Sequence, residues 1–173
     1  MLGLGKDYDI GLGLAPVDLA TAGATGKRIS MHDCSGIDIV LVFAAGTDGD
    51  DPVPSLQQHT AYTSGTTADL AVIDTIYRKA ETALDNDESW VKTTQTAAAI
   101  MTAVADDAQK QCIYVIHVRA SDLAAGYTHI SVNMADLNNN AHLACFLYLK
   151  VGLQSQRTPA NLPNLLRPGA ANA

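Results

Sequence analysis

CIYVIHVRA (Cys112–Ala120), YTHISVNMA (Tyr127–Ala135) and HLACFLYLKV (His142–Val151) follow one another in the last third of the chain, each with the two-residue period of a β-strand. The middle stretch alternates most cleanly. Ile130, Val132 and Met134 are set to point one way, and Tyr127, His129, Ser131 and Asn133 the other, as in a strand with one buried and one wetted face. The connectors Ser121–Gly126 and Asp136–Ala141 are of hairpin length, and the asparagines of the second tolerate the left-handed backbone of a tight turn. Three such strands in succession are the signature of a β-sandwich.

Strand patterns continue upstream. Lys27–Cys34 reads as a short strand, and Ile37–Ala45 as a nearly continuous apolar, β-branched one that suits burial on both faces. Ser55–Tyr62 and Ser89–Gln95 alternate more weakly. Asp69–Ala80 can be read two ways: Leu70, Ile73, Ile76 and Tyr77 share one side of a helix, whereas Val72, Ile73, Thr75 and Ile76 are β-branched. The β-rich surroundings favour strand. Ala97–Gln111 is the helix expected of this chain, being alanine-rich with Ile100, Met101 and Val104 at helical spacing.

The two ends read differently. Residues 1–26 hold five glycines before Ala24 and scattered leucines without sustained period, which suggests an extended N-terminal arm whose apolar side chains require a surface to cover them. Residues 152–173 carry Pro159, Pro163 and Pro168, which forbid a long helix, and make an extended C-terminal tail. The domain between them is residues 27–151. A chain of 173 residues suits one domain with a real core, and aromatics at only 5% leave that core to Ile, Leu, Val and Ala.

Composition excludes several functions. A net charge of −7 with scattered Lys and Arg argues against a nucleic-acid partner. No apolar run approaches bilayer-spanning length, and the N-terminus lacks the apolar core of a signal peptide. Cys34, Cys112 and Cys145 have neither CxxC spacing nor an even count, and read as small buried hydrophobes of a reducing compartment.

Motifs for chemistry are missing as well. His117, His129 and His142 lie in the β-rich region, but there is no HxH pair and the chain holds only two glutamates, Glu81 and Glu88, so a cupin-type metal site is not expected. Asp48, Asp50 and Asp51 lack the glycine and closing acid of a calcium loop and read as a solvated turn. No nucleophile elbow and no phosphate-cradling glycine loop occurs, so neither catalytic residues nor a cofactor is expected. The tyrosines and Trp90 could furnish a sugar-stacking platform, yet only Tyr127 is set on an outer face, and core packing is the expected use of the rest.

Several short pieces, taken in order, resemble a known kind of protein. They are Arg28–Met31; Ala44–Thr47; Asp50–Val53 running into Leu56–Gln58; Trp90–Thr94; Ile113–Leu123; and Asn140–Leu143 leading into Leu147–Leu149. Together they span about residues 27–151 and resemble small virion proteins of tailed bacteriophages, the head decoration or cement proteins. The resemblance implies a jelly-roll-like β-sandwich of about eight strands on the capsid surface, made in the host cytoplasm. It would act as a homodimer or homotrimer and bind the major capsid protein through extended termini. The residues expected to bind are Leu2, Leu4, Ile10, Leu12 and Leu14 at one end and Leu162, Leu165 and Leu166 at the other. Alternatives are a tail or head–tail connector component and a lectin-like carbohydrate-binding sandwich.

Overall fold

The computed structural model describes residues 8–20, 22–137 and 141–154. The chain is an all-β sandwich of two antiparallel sheets. Its strands are β1 (Asp9–Asp18), β2 (Ala24–Thr25), β3 (Ile29–Ser30), β4 (Gly36–Phe43), β5 (Pro54–His59) and β6 (Thr67–Asp69). They continue with β7 (Ile73–Glu81), β8 (Val91–Ala98), β9 (Gln111–Arg119), β10 (His129–Met134) and β11 (Leu143–Val151). One sheet runs β1-β11-β4-β9-β7-β8; the other runs β2-β10-β5-β6, with β3 also paired to β10. Among the described residues there are eleven strands against the expected eight or so, three of them only two or three residues long.

The three strands of Cys112–Val151 form close to where their alternation places them, but they do not pair with one another. β9 lies between β4 and β7, β11 between β1 and β4, and β10 belongs to the other sheet. The short connectors are therefore crossings between layers, not hairpins. Alternation is strict all the same. Ile130, Val132 and Met134 from one sheet meet Ile37, Ile39, Leu41, Tyr114, Ile116, Phe146 and Tyr148 from the other in a single buried core.

Tyr148 joins the two layers. Its hydroxyl, fully buried, donates to the Lys27 carbonyl and accepts the Val132 N–H, both at 3.0 Å. These bonds fall where the chain between β2 and β3 leaves the edge of β10, so a side chain from the opposite sheet completes the hydrogen bonding there. Phe146 packs edge-on against Tyr148 with ring centroids 5.6 Å apart. Glycines make room for both rings: a Cβ on Gly13 would lie 2.3 Å from the Phe146 ring and 2.8 Å from that of Tyr148, and one on Gly26 would lie 2.4 Å from Phe146.

Residues 9–18 thus depart from the expected extended arm. They form a full edge strand of the domain, antiparallel to β11 from Asp9 opposite Lys150 to Asp18 opposite Leu143. Glycines at 11 and 13 face inward and Ile10 and Leu12 outward, an inversion of the usual pattern that the aromatic rings of β11 impose. A β-bulge between Leu12 and Leu14 turns Leu14 onto the core.

The helix expected over Ala97–Gln111 does not form. β8 continues to Ala98, and the next residues run extended across to β5, with Leu56 N–H bonded to the Ala99 carbonyl and Met101 N–H to that of Pro54. The Gln95 side chain fixes this crossing, donating to the carbonyls of Ile73 and Ile100 and accepting the Thr102 N–H. Met101 is buried, so tertiary pairing overrides the helical propensity of the alanines. Only a 3-10 turn at Asp107–Gln109 remains. It presents Asp107, fully buried, to two bonds from Arg78 at 2.9 and 3.0 Å and to the Tyr114 hydroxyl at 2.6 Å.

Three substitutions test this account. Gly13→Ala is expected to cost about 1–3 kcal/mol by overpacking against Phe146, whereas Ala15→Ser on the exposed part of β1 should stay within about 0.5 kcal/mol, both read from urea midpoints. Arg78→Met leaves the Asp107 carboxylate buried without its guanidinium and is expected to cost about 3–5 kcal/mol in the same titration.

Candidate interaction surface

An antiparallel sheet packed on one side is expected to be polar on the other. The six-stranded sheet is not. Leu12, Leu147, Val40, Val115 and Tyr77 are register partners across β1, β11, β4, β9 and β7, and all point away from the core. Next to this row lie Cys145, Val42 and Ile113, again partners on neighbouring strands. The exposure is real: Leu12 is 40% exposed, Leu147 38%, Val42 38%, Tyr77 46% and Leu143 52%. A shallow hollow of about 410 Å³ opens at one end of the face, lined by Pro16, Val42, Leu84, Ile113, Leu143 and Cys145.

Charge is confined to the margins. On one side Asp38 and His117 are partners on β4 and β9, with carboxylate to ring nitrogen at 2.6 Å. Towards β8, Lys79 sits over the Trp90 ring at 5.1 Å and Lys92 stands beside Tyr77. Beyond the apolar row a polar groove of about 510 Å³ is lined by Asp74, Tyr77, Lys92, His117, Arg119 and Asp122.

Of the residues expected to bind a partner, Leu2, Leu4, Leu162, Leu165 and Leu166 lie outside the described residues. Ile10 and Leu12 do lie on the outer face, with Leu12 in the apolar row; Leu14 packs on the core. The sequence alone does not assign Leu147, Val40 and Val115 to a binding surface. A signal for Val40 is present, since the apolar run Ile37–Ala45 suits burial on both faces. Its even-numbered face, with Val40 and Val42, lies instead on the open side of the sheet.

His129 lies opposite His59 on the neighbouring strand, but His117 and His142 stand elsewhere. Among the described residues no group of three or more His, Cys, Asp or Glu side chains could hold a metal ion. The Asp51 carboxylate accepts the Ala108 N–H and so ties its loop to the 3-10 turn. His59 is buried between the Ser131 hydroxyl at 2.8 Å and the Thr67 hydroxyl at 2.9 Å. Burial, reinforced by the Arg28 charge, lowers its pKa to about 4. His142 is fully enclosed, its ring nitrogens lack hydrogen-bond partners among the described residues, and burial lowers its pKa too. Cys34 and Cys112 are buried free thiols, the latter pushed up to about 12 first by burial and then by Asp107, whereas Cys145 is half-buried on the outer face.

The fold and surface define a two-sheet antiparallel sandwich with an unusually apolar outer face. Set against protein families, curated proteins and solved structures, the chain matches none.

His59, His129 and His142 give a pH dependence with a definite sign. Their folded pKa values lie below the unfolded value of about 6.5, so acid protonates the unfolded chain first and stability falls as pH drops. For His59 the loss begins near pH 6.5, amounts to at most about 3 kcal/mol, and levels off below about pH 4. Urea midpoints between these pH values should show the slope, and His59→Gln should flatten it.

Proposed function

We propose that the chain is a non-enzymatic structural protein of a phage virion. In this reading it binds the outside of the head and reinforces contacts between major capsid protein subunits, with further copies of itself as its other partner. The wiring would be related to a jelly roll, and the place of action the capsid surface.

One observation carries the reading. Asp9, at the start of β1, lies opposite Lys150, next to the last residue of β11, so the chain enters and leaves the sandwich at one corner. In the sequence, residues 1–7 precede that corner and residues 155–173 follow it, and they contain Leu2 and Leu4 and Leu162, Leu165 and Leu166. Leucine-bearing ends that flank one corner in the sequence suit a clamp on one neighbour, since burying leucines contributes about 25 cal/mol per Å² before the entropy of ordering is subtracted. A rigid sandwich with its paired β1 would serve as the spacer and a pair of termini as the fastening.

A carbohydrate-binding role is the second reading, supported by the groove of Asp74, Tyr77, Lys92, His117 and Arg119, in which an exposed aromatic stands among hydrogen-bonding side chains. Saturable binding on a glycan array, lost in Tyr77→Ala, is its expected result.

Removal of residues 155–173 leaves every described strand in place. The truncated chain is expected to stay folded by circular dichroism and to be retained on isolated phage heads at no more than about a tenth of full-length occupancy. Full occupancy without the tail overturns the reading. Imaging of particles separates head from tail: icosahedral positions support the proposal, and rings or helical rows favour a tail or connector component. Deleting residues 1–24 is not an equivalent test, because it removes β1 and uncovers Phe146 and Tyr148.

A further inference from the structure

We infer that the outer face of the six-stranded sheet is a two-fold interface between two copies of this chain, packed sheet against sheet. The inference deepens the self-association named above and rests on that part of the reading alone.

The row Leu12, Leu147, Val40, Val115 and Tyr77 crosses five adjacent strands without a charge. With the row of Cys145, Val42 and Ile113 it makes a continuous aliphatic surface, and Asp38, His117, Lys79 and Lys92 are held at its margins. Single exposed leucines need no explanation, but contiguous patches of this kind on a soluble chain mark a binding surface.

Size and shape point to a second copy. Five strands at about 4.8 Å spacing and two rows, four residues at about 3.3 Å rise, make an apolar centre of roughly 300 Å² in projection, so a stable interface of roughly 800 Å² per partner takes in the polar margins as its rim. The face is pleated and open, without the walls that would enclose a peptide, and such faces pack on one another about 10 Å apart with strands aligned to within about 30°. Charge points the same way. A chain of net charge −7 repels its own copies wherever acids meet, so self-association requires a patch without net charge, as the centre of this face is. Timing adds a third argument: a bare aliphatic face promotes aggregation as soon as the chain folds, and a second copy is available from that moment. An isologous pair also meets the geometry, because the same rows would face each other across the axis.

The experiment uses the full chain in solution, without heads. Sedimentation equilibrium at micromolar concentration is expected to give twice the 18.2 kDa chain mass. Leu147→Glu and, separately, Leu12→Lys place a charge at sites already exposed in the protomer, and each should weaken association by at least about 100-fold while leaving the far-UV circular dichroism unchanged. Cys145 supplies an independent readout. Cys34 and Cys112 are buried, so alkylation reports on Cys145, which should react at least about ten-fold faster in either variant than in the unaltered chain.

A monomeric full chain overturns the inference, as does a trimer, or a dimer that survives both substitutions. A monomer that associates only after residues 155–173 are removed assigns the face to the chain's own tail and overturns it too. Head binding separates this inference from the virion reading. A monomeric Leu147→Glu protein that still decorates heads supports the dimer face, and a dimer that ignores heads overturns the virion reading alone.

Discussion

The Tyr148 hydroxyl holds the two sheets in register. Most contacts between sandwich layers are dispersive and tolerate sliding, whereas this group makes two directed bonds, to the Lys27 carbonyl and from the Val132 N–H, in a site from which water is excluded. Burial raises the pKa of the phenol, so it stays a neutral donor and acceptor at any physiological pH. Its neighbours follow from it. β2 and β3 are separate strands because the hydroxyl occupies the place where continuous pairing with β10 would pass, and Gly13 and Gly26 lack a side chain because the rings of Phe146 and Tyr148 fill that volume. Gly13 also accepts the Lys27 N–H, which draws the N-terminal strand into the same junction.

The β-strands were legible in the sequence wherever burial followed alternation. β9, β10 and β11 could be read from residues 112–151 with errors of a residue or two, and β7 from its β-branched side chains despite its helical spacing. β1 was hidden because its inward positions are glycines, chosen for rings that arrive more than 130 residues later in the chain. The Ala97–Gln111 stretch misled for a related reason. Its alanines favour helix locally, but Gln95, Pro54 and Leu56 hold Ala99–Thr102 extended through bonds that no local pattern encodes. Pairing was the least legible feature of all, since consecutive strands change sheets.

The interaction surface was half-visible for a subtler reason. An apolar residue on both faces of a strand signals two covers, and the sequence does not say whether the second belongs to the same chain. For β4 it does not among the described residues: Ile39 and Leu41 meet the other sheet, while Val40 and Val42 meet nothing of comparable apolarity. The interior shows the opposite economy with polar groups. Asp107 is fully buried but is satisfied by Arg78 and Tyr114, and His59 by Ser131 and Thr67, so burial there fixes positions and creates no reactive group.

The pairing of β1 with β11 places the first and last strands of the domain side by side. During synthesis, β1 must wait for β11, which is made more than 120 residues later, and β4 stays uncovered on the β11 side for as long. The six-stranded layer cannot assemble progressively from its N-terminal half, and folding is expected to be slow and governed by long-range closure. A chain broken off before residue 143 would expose the β4 edge as a template for foreign strands, so the arrival of β11 is itself the safeguard against misassembly.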